Sequence, residues 1–335
     1  MRSGLVALAC WLTATGLAPA QTTDWPHVGN DPGSMRYSRL DQITRENVAK
    51  LKPAWTYHTG ELAGRTGKTI ECTPIVVEGV MYLTTGYLRV VALDARTGKL
   101  DPQFGSGGIR NLRDALEPEM AALGYGPTSA PAIWKDTVIV GFSCGEGPGI
   151  AAPGDIRAFD VRTGREVWSF RTVPAPGEFG HETWEGDSWK RRGGANAWGG
   201  FTLDEARGLV FAGTGSAAFD FYGGDRHGDN LFANCTLALD ARTGKRVWHY
   251  QTIRHDLWDH DLPTPPVLVS VRRDGKDLDA ATQVTKTGYV YLFDRETGRP
   301  LFDIEERSVP ASDVPGEQAA TTQPIPVKPP PFVAQ

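Results

Sequence analysis

One turn is written four times along this 335-residue chain: Ala92-Leu93-Asp94-Ala95-Arg96-Thr97-Gly98-Lys99, Ala158-Phe159-Asp160-Val161-Arg162-Thr163-Gly164-Arg165, Ala238-Leu239-Asp240-Ala241-Arg242-Thr243-Gly244-Lys245 and Leu292-Phe293-Asp294-Arg295-Glu296-Thr297-Gly298-Arg299. In each copy an apolar, β-type run enters Asp-x-x-Thr-Gly. There the Asp side chain can bond nearby backbone N–H groups, and the Gly can take the positive φ that closes a short hairpin. Two copies carry a Trp at the same offset beyond the turn, Trp168 and Trp248, and the fourth carries Phe302, so the outgoing strand is expected to bury an aromatic ring. The first copy has Pro102 near that place and is degenerate. A chain built this way is a repeat array of antiparallel β units.

The repeated aspartates lie 66, 80 and 54 residues apart, more than the roughly 40–50 residues of a simple propeller repeat. Each unit is therefore expected to be a four-stranded blade with insertions, and insertions are where function concentrates. With 39 Gly, 24 Pro and 10 Trp, the composition favours short strands and turns over helices. A net charge of −5 offers no polycationic surface for nucleic acid. Residues 1–20 run from Arg2 through the apolar stretch Leu5 to Leu17 to the small-residue site Ala18-Pro19-Ala20, the pattern of a secretory signal cleaved before Gln21. The reading is thus a signal segment over 1–20, a partial β-propeller over 21–335, export to the periplasm or outside the cell, and no later stretch that spans a bilayer. Cys72, Cys144 and Cys235 remain after cleavage, with no C-x-x-C or C-x-x-C-H pattern, so neither a zinc ribbon nor an attached c-type haem is encoded; one disulfide is possible and none is required.

Blades are expected at about 70–104, 131–171, 197–251 and 264–305, on alternating runs such as Ile75-Val76-Val77-Glu78-Gly79-Val80-Met81-Tyr82-Leu83 and Thr137-Val138-Ile139-Val140-Gly141. Residues 48–57 read as an orphan strand of the kind that completes the last blade of a ring. Three stretches fit no blade strand and are candidate site loops: 105–130, the Gly-, Trp- and charge-rich 172–196, and 254–266. The Pro-rich end, Pro324 to Gln335, offers no strand to pair with 48–57, so about four blades of a larger array are expected.

The densest polar cluster is Arg254-His255-Asp256-Leu257-Trp258-Asp259-His260-Asp261. Its spacing alone fits a hydrogen-bonded loop, a divalent-cation site or a catalytic base. With the following Leu262-Pro263 and the downstream Lys286-Thr287-Gly288, however, the segment closely resembles the quinoprotein dehydrogenases that use pyrroloquinoline quinone (PQQ), most of all their glucose dehydrogenase branch. The stretches Gly177-Glu178-Phe179-Gly180-His181-Glu182-Thr183-Trp184, Tyr222-Gly223-Gly224-Asp225-Arg226 and Asp313-Val314-Pro315-Gly316-Glu317 agree with it. The resemblance covers the chain from about residue 24 to its end. It implies an all-β, eight-bladed propeller with PQQ across its axis, of which this chain supplies about the first half.

The resemblance also implies roles. Asp259 matches the proposed base that takes the substrate hydroxyl proton while hydride passes to the quinone C5. Lys286 matches a cationic donor to the quinone oxygens, which would stabilise the charge of the reduced cofactor. Glu146, in Ser143-Cys144-Gly145-Glu146-Gly147, matches the carboxylate that binds a Ca²⁺ or Mg²⁺ ion with oxygen ligands, and Asp259 lies beside that ion. Trp198 matches the indole that supports one face of the PQQ ring. Thr128 and Ser143 match hydroxyl donors to PQQ carboxylates, Glu71 a cofactor-contacting acid, and Arg89 a cation near the quinone. This sequence departs from the family at three points: Gly213-Thr214-Gly215-Ser216 holds no Asn where alcohol-oxidising members place a metal ligand, the vicinal Cys pair beneath PQQ is missing, and 105–130 contains no match to the active-site His of the membrane glucose dehydrogenase.

The resulting expectation is a secreted PQQ-dependent sugar or alcohol dehydrogenase that passes electrons to a quinone or a soluble carrier. The rival readings are a non-catalytic envelope propeller that scaffolds protein assembly, which has no need of Asp259 together with Lys286, Glu146 and Trp198, and an inactive fragment of the enzyme.

Overall fold

A computed structural model describes residues 24–61, 70–116, 123 and 125–334; the expected signal segment lies outside them. Four antiparallel sheets follow one another along the chain. The first contains β1 (Ile75–Val77), β2 (Val80–Thr85), β3 (Arg89–Asp94) and β4 (Ile109–Asn111). A two-residue pair, β5 (Tyr125–Gly126) and β8 (Ser143–Cys144), flanks the second sheet, which is built from β6 (Ala132–Trp134), β7 (Thr137–Val140), β9 (Ile156–Asp160) and β10 (Glu166–Phe170). The third contains β11 (Phe201–Asp204), β12 (Leu209–Gly213), β13 (Cys235–Asp240) and β14 (Arg246–Gln251), and the fourth β15 (Val267–Arg273), β16 (Lys276–Val284) and β17 (Val290–Asp294). A separate hairpin joins β18 (Ile304–Ser308) to β19 (Thr322–Pro326).

The middle strands are apolar at nearly every position because both faces are covered. Side chains alternate across a strand, so Val210 and Ala212 of β12 pack toward the second sheet while Leu209 and Phe211 pack toward the fourth. Ile139 of β7 likewise joins the cluster shared with the third sheet, and Val138 and Val140 join the one shared with the first. Each sheet is thus cemented face to face with its neighbours, as blades are.

All four repeat turns have the same internal bonding. Asp94 Oδ1 accepts from both the N–H and the hydroxyl of Thr97 at 2.7 Å, and Asp160, Asp240 and Asp294 do the same for Thr163, Thr243 and Thr297. The turn glycines sit at φ 64–70°, and they also seat the aromatic rings. The indole N–H of Trp168 donates to Ala241 O (3.1 Å) and that of Trp248 to Arg295 O (3.0 Å), each ring lying so close to the next blade's turn that a Cβ at Gly244 or Gly298 would come within 2.5 Å of it. The repeated Trp therefore belongs to one blade and closes the turn of the next.

Residues 48–57 carry a 3₁₀ turn at Val48–Lys50 and then an extended run that joins no ladder. Trp55 nevertheless donates to Ala95 O (3.2 Å) and covers Gly98, as Trp168 and Trp248 do on their turns. The first blade runs past its expected limit. After the isolated bridge Leu93–Leu100, Pro102 takes the chain out of the ladder, and it returns as β4, within the stretch assigned to a loop. In the fourth unit Pro300 interrupts pairing in the same way after the bridge Phe293–Pro300, so the segment carrying Phe302 adds no fourth strand to that sheet. Cys72, Cys144 and Cys235 are free thiols.

Candidate active site

In an up-and-down sheet of four strands, the segment entering the first strand and the connection between the second and third lie at one end; the other two connections lie at the opposite end. The Asp-x-x-Thr-Gly turns all follow the third strands, at the opposite end from the entry to the first. The residues that matched the quinoprotein pattern come from the other class: Glu71, Thr128, Trp198 and Asp259 precede the first strands, whereas Ser143, Glu146 and Lys286 lie between second and third strands. Seven positions from four units converge for this reason on one cavity of about 270 Å³, lined by Glu71, Thr128, Ser143, Glu146, Trp198, Asp259 and Lys286. Arg89 is not among its lining residues; its guanidinium lies 3.5 Å from Glu61 and donates to Thr59 O.

Asp259 sits at φ 55°, a left-handed conformation that costs a non-glycine residue of order 1 kcal/mol. Lys286 Nζ donates to its carbonyl and to its Oδ2, both at 3.0 Å, and to Asp261 Oδ2 at 3.3 Å. Burial opposes the charge of Lys286, but the two carboxylates outweigh it and raise its pKa. The ammonium also lies 6.0 Å from the Trp198 ring centroid, and the Trp198 indole N–H is buried without a partner among the described residues. Thr128 Oγ1 donates to Trp198 O (3.4 Å), and Ser143 is placed by the β5–β8 pair.

Three further polar side chains line the cavity: Asp261, a member of the 254–261 cluster, and Asn196 and Asp220, which no sequence motif marks. Asn196 commits its Nδ2 to Phe142 O (2.9 Å), which leaves its Oδ1 as an acceptor. Asp261 receives Ser216 N (2.6 Å), an approach that a side chain at Gly215 would block, since a Cβ there would lie 2.6 Å from Asp261 Oδ1. Burial and the neighbouring Asp259 raise the pKa of Asp261 against the pull of Ser216 and Lys286. Asp220 is pushed up to about 8, first by burial and then by Asp261, Glu146 and Asp259. Five carboxylates (Glu71, Glu146, Asp220, Asp259 and Asp261) thus face one space with Lys286 as the cation among the described lining residues, a charge imbalance that suits a hard divalent ion with oxygen ligands. Among the described residues no three His, Cys, Asp or Glu side chains are already drawn together as a metal cluster, so these groups line a chamber rather than a closed ligand set. An unpartnered indole N–H, two hydroxyls, an ammonium and carboxylates around a slot fit a flat, polyanionic quinone chelated to such an ion.

A family model described as "PQQ: Glucose/ethanol/alcohol dehydrogenase, beta-propeller domain" matches residues 25–100 and 88–335. The chain belongs to this family. Among curated proteins, it is 32% identical to the quinate/shikimate dehydrogenase (quinone) of Acinetobacter baylyi, over 92% of this chain and 47% of that protein. It is 30% identical to the quinoprotein glucose dehydrogenase A of Acinetobacter calcoaceticus, over 93% of this chain and 49% of that one. The solved quinohemoprotein alcohol dehydrogenase ADHIIG of Pseudomonas putida superposes with a TM-score of 0.63 at 29% identity, over 90% of this chain and 50% of the other. The chain therefore spans about half the length of the PQQ dehydrogenases it matches, and its sheets are blades of a PQQ-dehydrogenase-type propeller. No helix among the described residues is long and apolar enough to cross a membrane.

Proposed function

We propose that this chain forms the PQQ- and cation-binding half of an exported dehydrogenase that oxidises the CH–OH group of an aldose or alcohol and passes the electrons to a quinone or a soluble carrier. The observation that carries the reading is the convergence of Glu71, Thr128, Ser143, Glu146, Trp198, Asp259 and Lys286 on one cavity. The propeller scaffold reading supplies no reason for that set. Glu146 and Asp259 would hold Ca²⁺ or Mg²⁺, with Asp261, Asp220 and Asn196 within the same chamber; Trp198 would carry one ring face, and Thr128, Ser143 and Glu71 would meet the cofactor's polar edge. Arg89 would act from outside the cavity wall, through the field of its charge. When bound, PQQ supplies the two-electron acceptor for the substrate's hydride, and the cation supplies Lewis acidity.

The chain's own residues supply the proton chemistry. Lys286 occupies Asp259 Oδ2 and the Asp259 carbonyl, which leaves Oδ1 to accept the proton of a substrate hydroxyl. Loss of that proton from the oxygen and of a hydride from the carbon that bears it would convert the alcohol to a carbonyl. The amine of Lys286 holds its proton throughout, so it acts as a fixed positive charge beside the base. The polypeptide expressed through the end of its reading frame should oxidise an aldose or alcohol from a dye-linked panel only with added PQQ and Ca²⁺ or Mg²⁺, and Asp259→Asn should lower kcat by about 10³-fold or more while PQQ still binds. Near-normal turnover in Asp259→Asn would remove it as base.

A further inference from the structure

The loop that carries Asp259 has no ladder of its own, and Asp259 itself is in a strained conformation. What fixes it is the carboxylate of Asp256, three residues earlier. That side chain is 1% exposed and collects five donors: Ser216 Oγ, Asn234 Nδ2 (3.1 Å), Trp258 N (3.1 Å), His260 N (2.6 Å) and His260 Nδ1 (2.9 Å). Two of the five are the backbone N–H groups on either side of Asp259. Ser216 and Asn234 tie the same carboxylate to the third sheet's central connections, and the fully buried Arg226 donates to the Asp256 carbonyl (2.5 Å). Ser216 also uses its N–H on Asp261, so one residue holds the loop at Asp256 and at Asp261, on either side of Asp259.

We infer that Asp256 is a positioning residue for the base: its buried carboxylate clamps both neighbours of Asp259 and thereby sets where the Asp259 carboxylate meets Lys286 and the cavity. The role rests on Asp259 being the base. Burying an anion costs several kcal/mol unless it is fully bonded, and a neutral amide could not do the same work. In Asp256→Asn one oxygen becomes an NH₂ group, which must face at least two of the donors that now converge on the carboxylate.

Two readouts test this. In the chain without cofactor, the ammonium of Lys286 is held by Asp259 and Asp261, so its labelling by an amine-reactive acetylating reagent, followed by peptide mass spectrometry, reports the geometry of the pair. Asp256→Asn should speed labelling of Lys286 by about tenfold, the equilibrium value of one charge-assisted hydrogen bond, with the rate at Lys245 unchanged. Ser216→Ala removes one of the five donors and keeps the charge; it should speed labelling in the same direction by a smaller factor, and it decides the matter if Asp256→Asn does not fold. In the polypeptide carried through its reading frame, Asp256→Asn should lower kcat by about 10²-fold, the cost of a misplacement near 1 Å, with KM nearly constant and a larger kinetic isotope effect from substrate deuterated at the reacting carbon. Unchanged Lys286 labelling in both variants, or equal acceleration at Lys286 and Lys245, would overturn the inference. Absence of PQQ-dependent turnover in the unmutated protein would instead defeat the proposed function and leave the labelling result standing on its own.

Discussion

The repeat turns and the cavity wall treat aspartate in opposite ways. At the repeat-turn end, Asp94 is held below the ordinary carboxylate range by the hydroxyl and N–H of Thr97, and Asp160 and Asp294 are held there too, where the bonds from Thr163 and Thr297 outweigh slight burial. Every such turn is complete in itself. At the cavity end, burial and mutual repulsion push Asp220 up to about 8 and raise Asp261. The same residue type is a local turn-closer in one place and an unbalanced charge in the other. What this teaches is where stability and function are divided: the turn end satisfies itself and repeats, whereas the cavity end stores an electrostatic deficit that a bound cation would relieve.

The turn end should respond to mutation through stability alone. Trp248→Ala removes a ring wedged between the third and fourth sheets and its bond to Arg295 O, and should cost about 3–5 kcal/mol, measured by urea denaturation. A loss below ~1 kcal/mol would mean that the docked indole does not hold successive blades together.

The cavity end should respond with the opposite sign. A carboxyl whose folded pKa is raised binds its proton more tightly in the folded state, so its contribution to stability is full below the unfolded pKa of about 4 and is lost as pH rises through about 8. Asp220→Asn should therefore stabilise the cation-free protein at pH 9 by of order 2 kcal/mol, with little gain at pH 4. Saturating Ca²⁺ should shrink the gain. Equal stability changes at both pH values would break the contrast between the two ends.

The array, the blades and the aromatic docking were legible because each is written in a repeated local pattern: Asp-x-x-Thr-Gly fixes the turn and the following Trp fixes its neighbour. Pro102 and Pro300 mark where the pattern fails, but not where the chain goes next, since the return of β4 and the β18–β19 hairpin depend on pairing partners distant in sequence. Most of the cavity was legible through resemblance to quinoprotein dehydrogenases. Asp220 was not, because Ala217-Ala218-Phe219-Asp220-Phe221 carries no motif. A topological rule would have found it, since it lies between the second and third strands of the third sheet, as Lys286 does in the fourth. Asn196 stands on a different loop of the same blade from Gly213–Ser216, the segment where the family pattern places its Asn. Asp256 was visible only as a member of an acidic cluster; its five donors come largely from folding.

The most direct test of the account is a titration of PQQ into the folded protein, read by quenching of Trp emission, with and without Ca²⁺. Saturable quenching that requires the ion and weakens in both Trp198→Ala and Glu146→Gln is the expected result. Absence of saturable binding by a folded protein carried through the end of its reading frame, with the ion present, would contradict the cavity's assignment as a cofactor site.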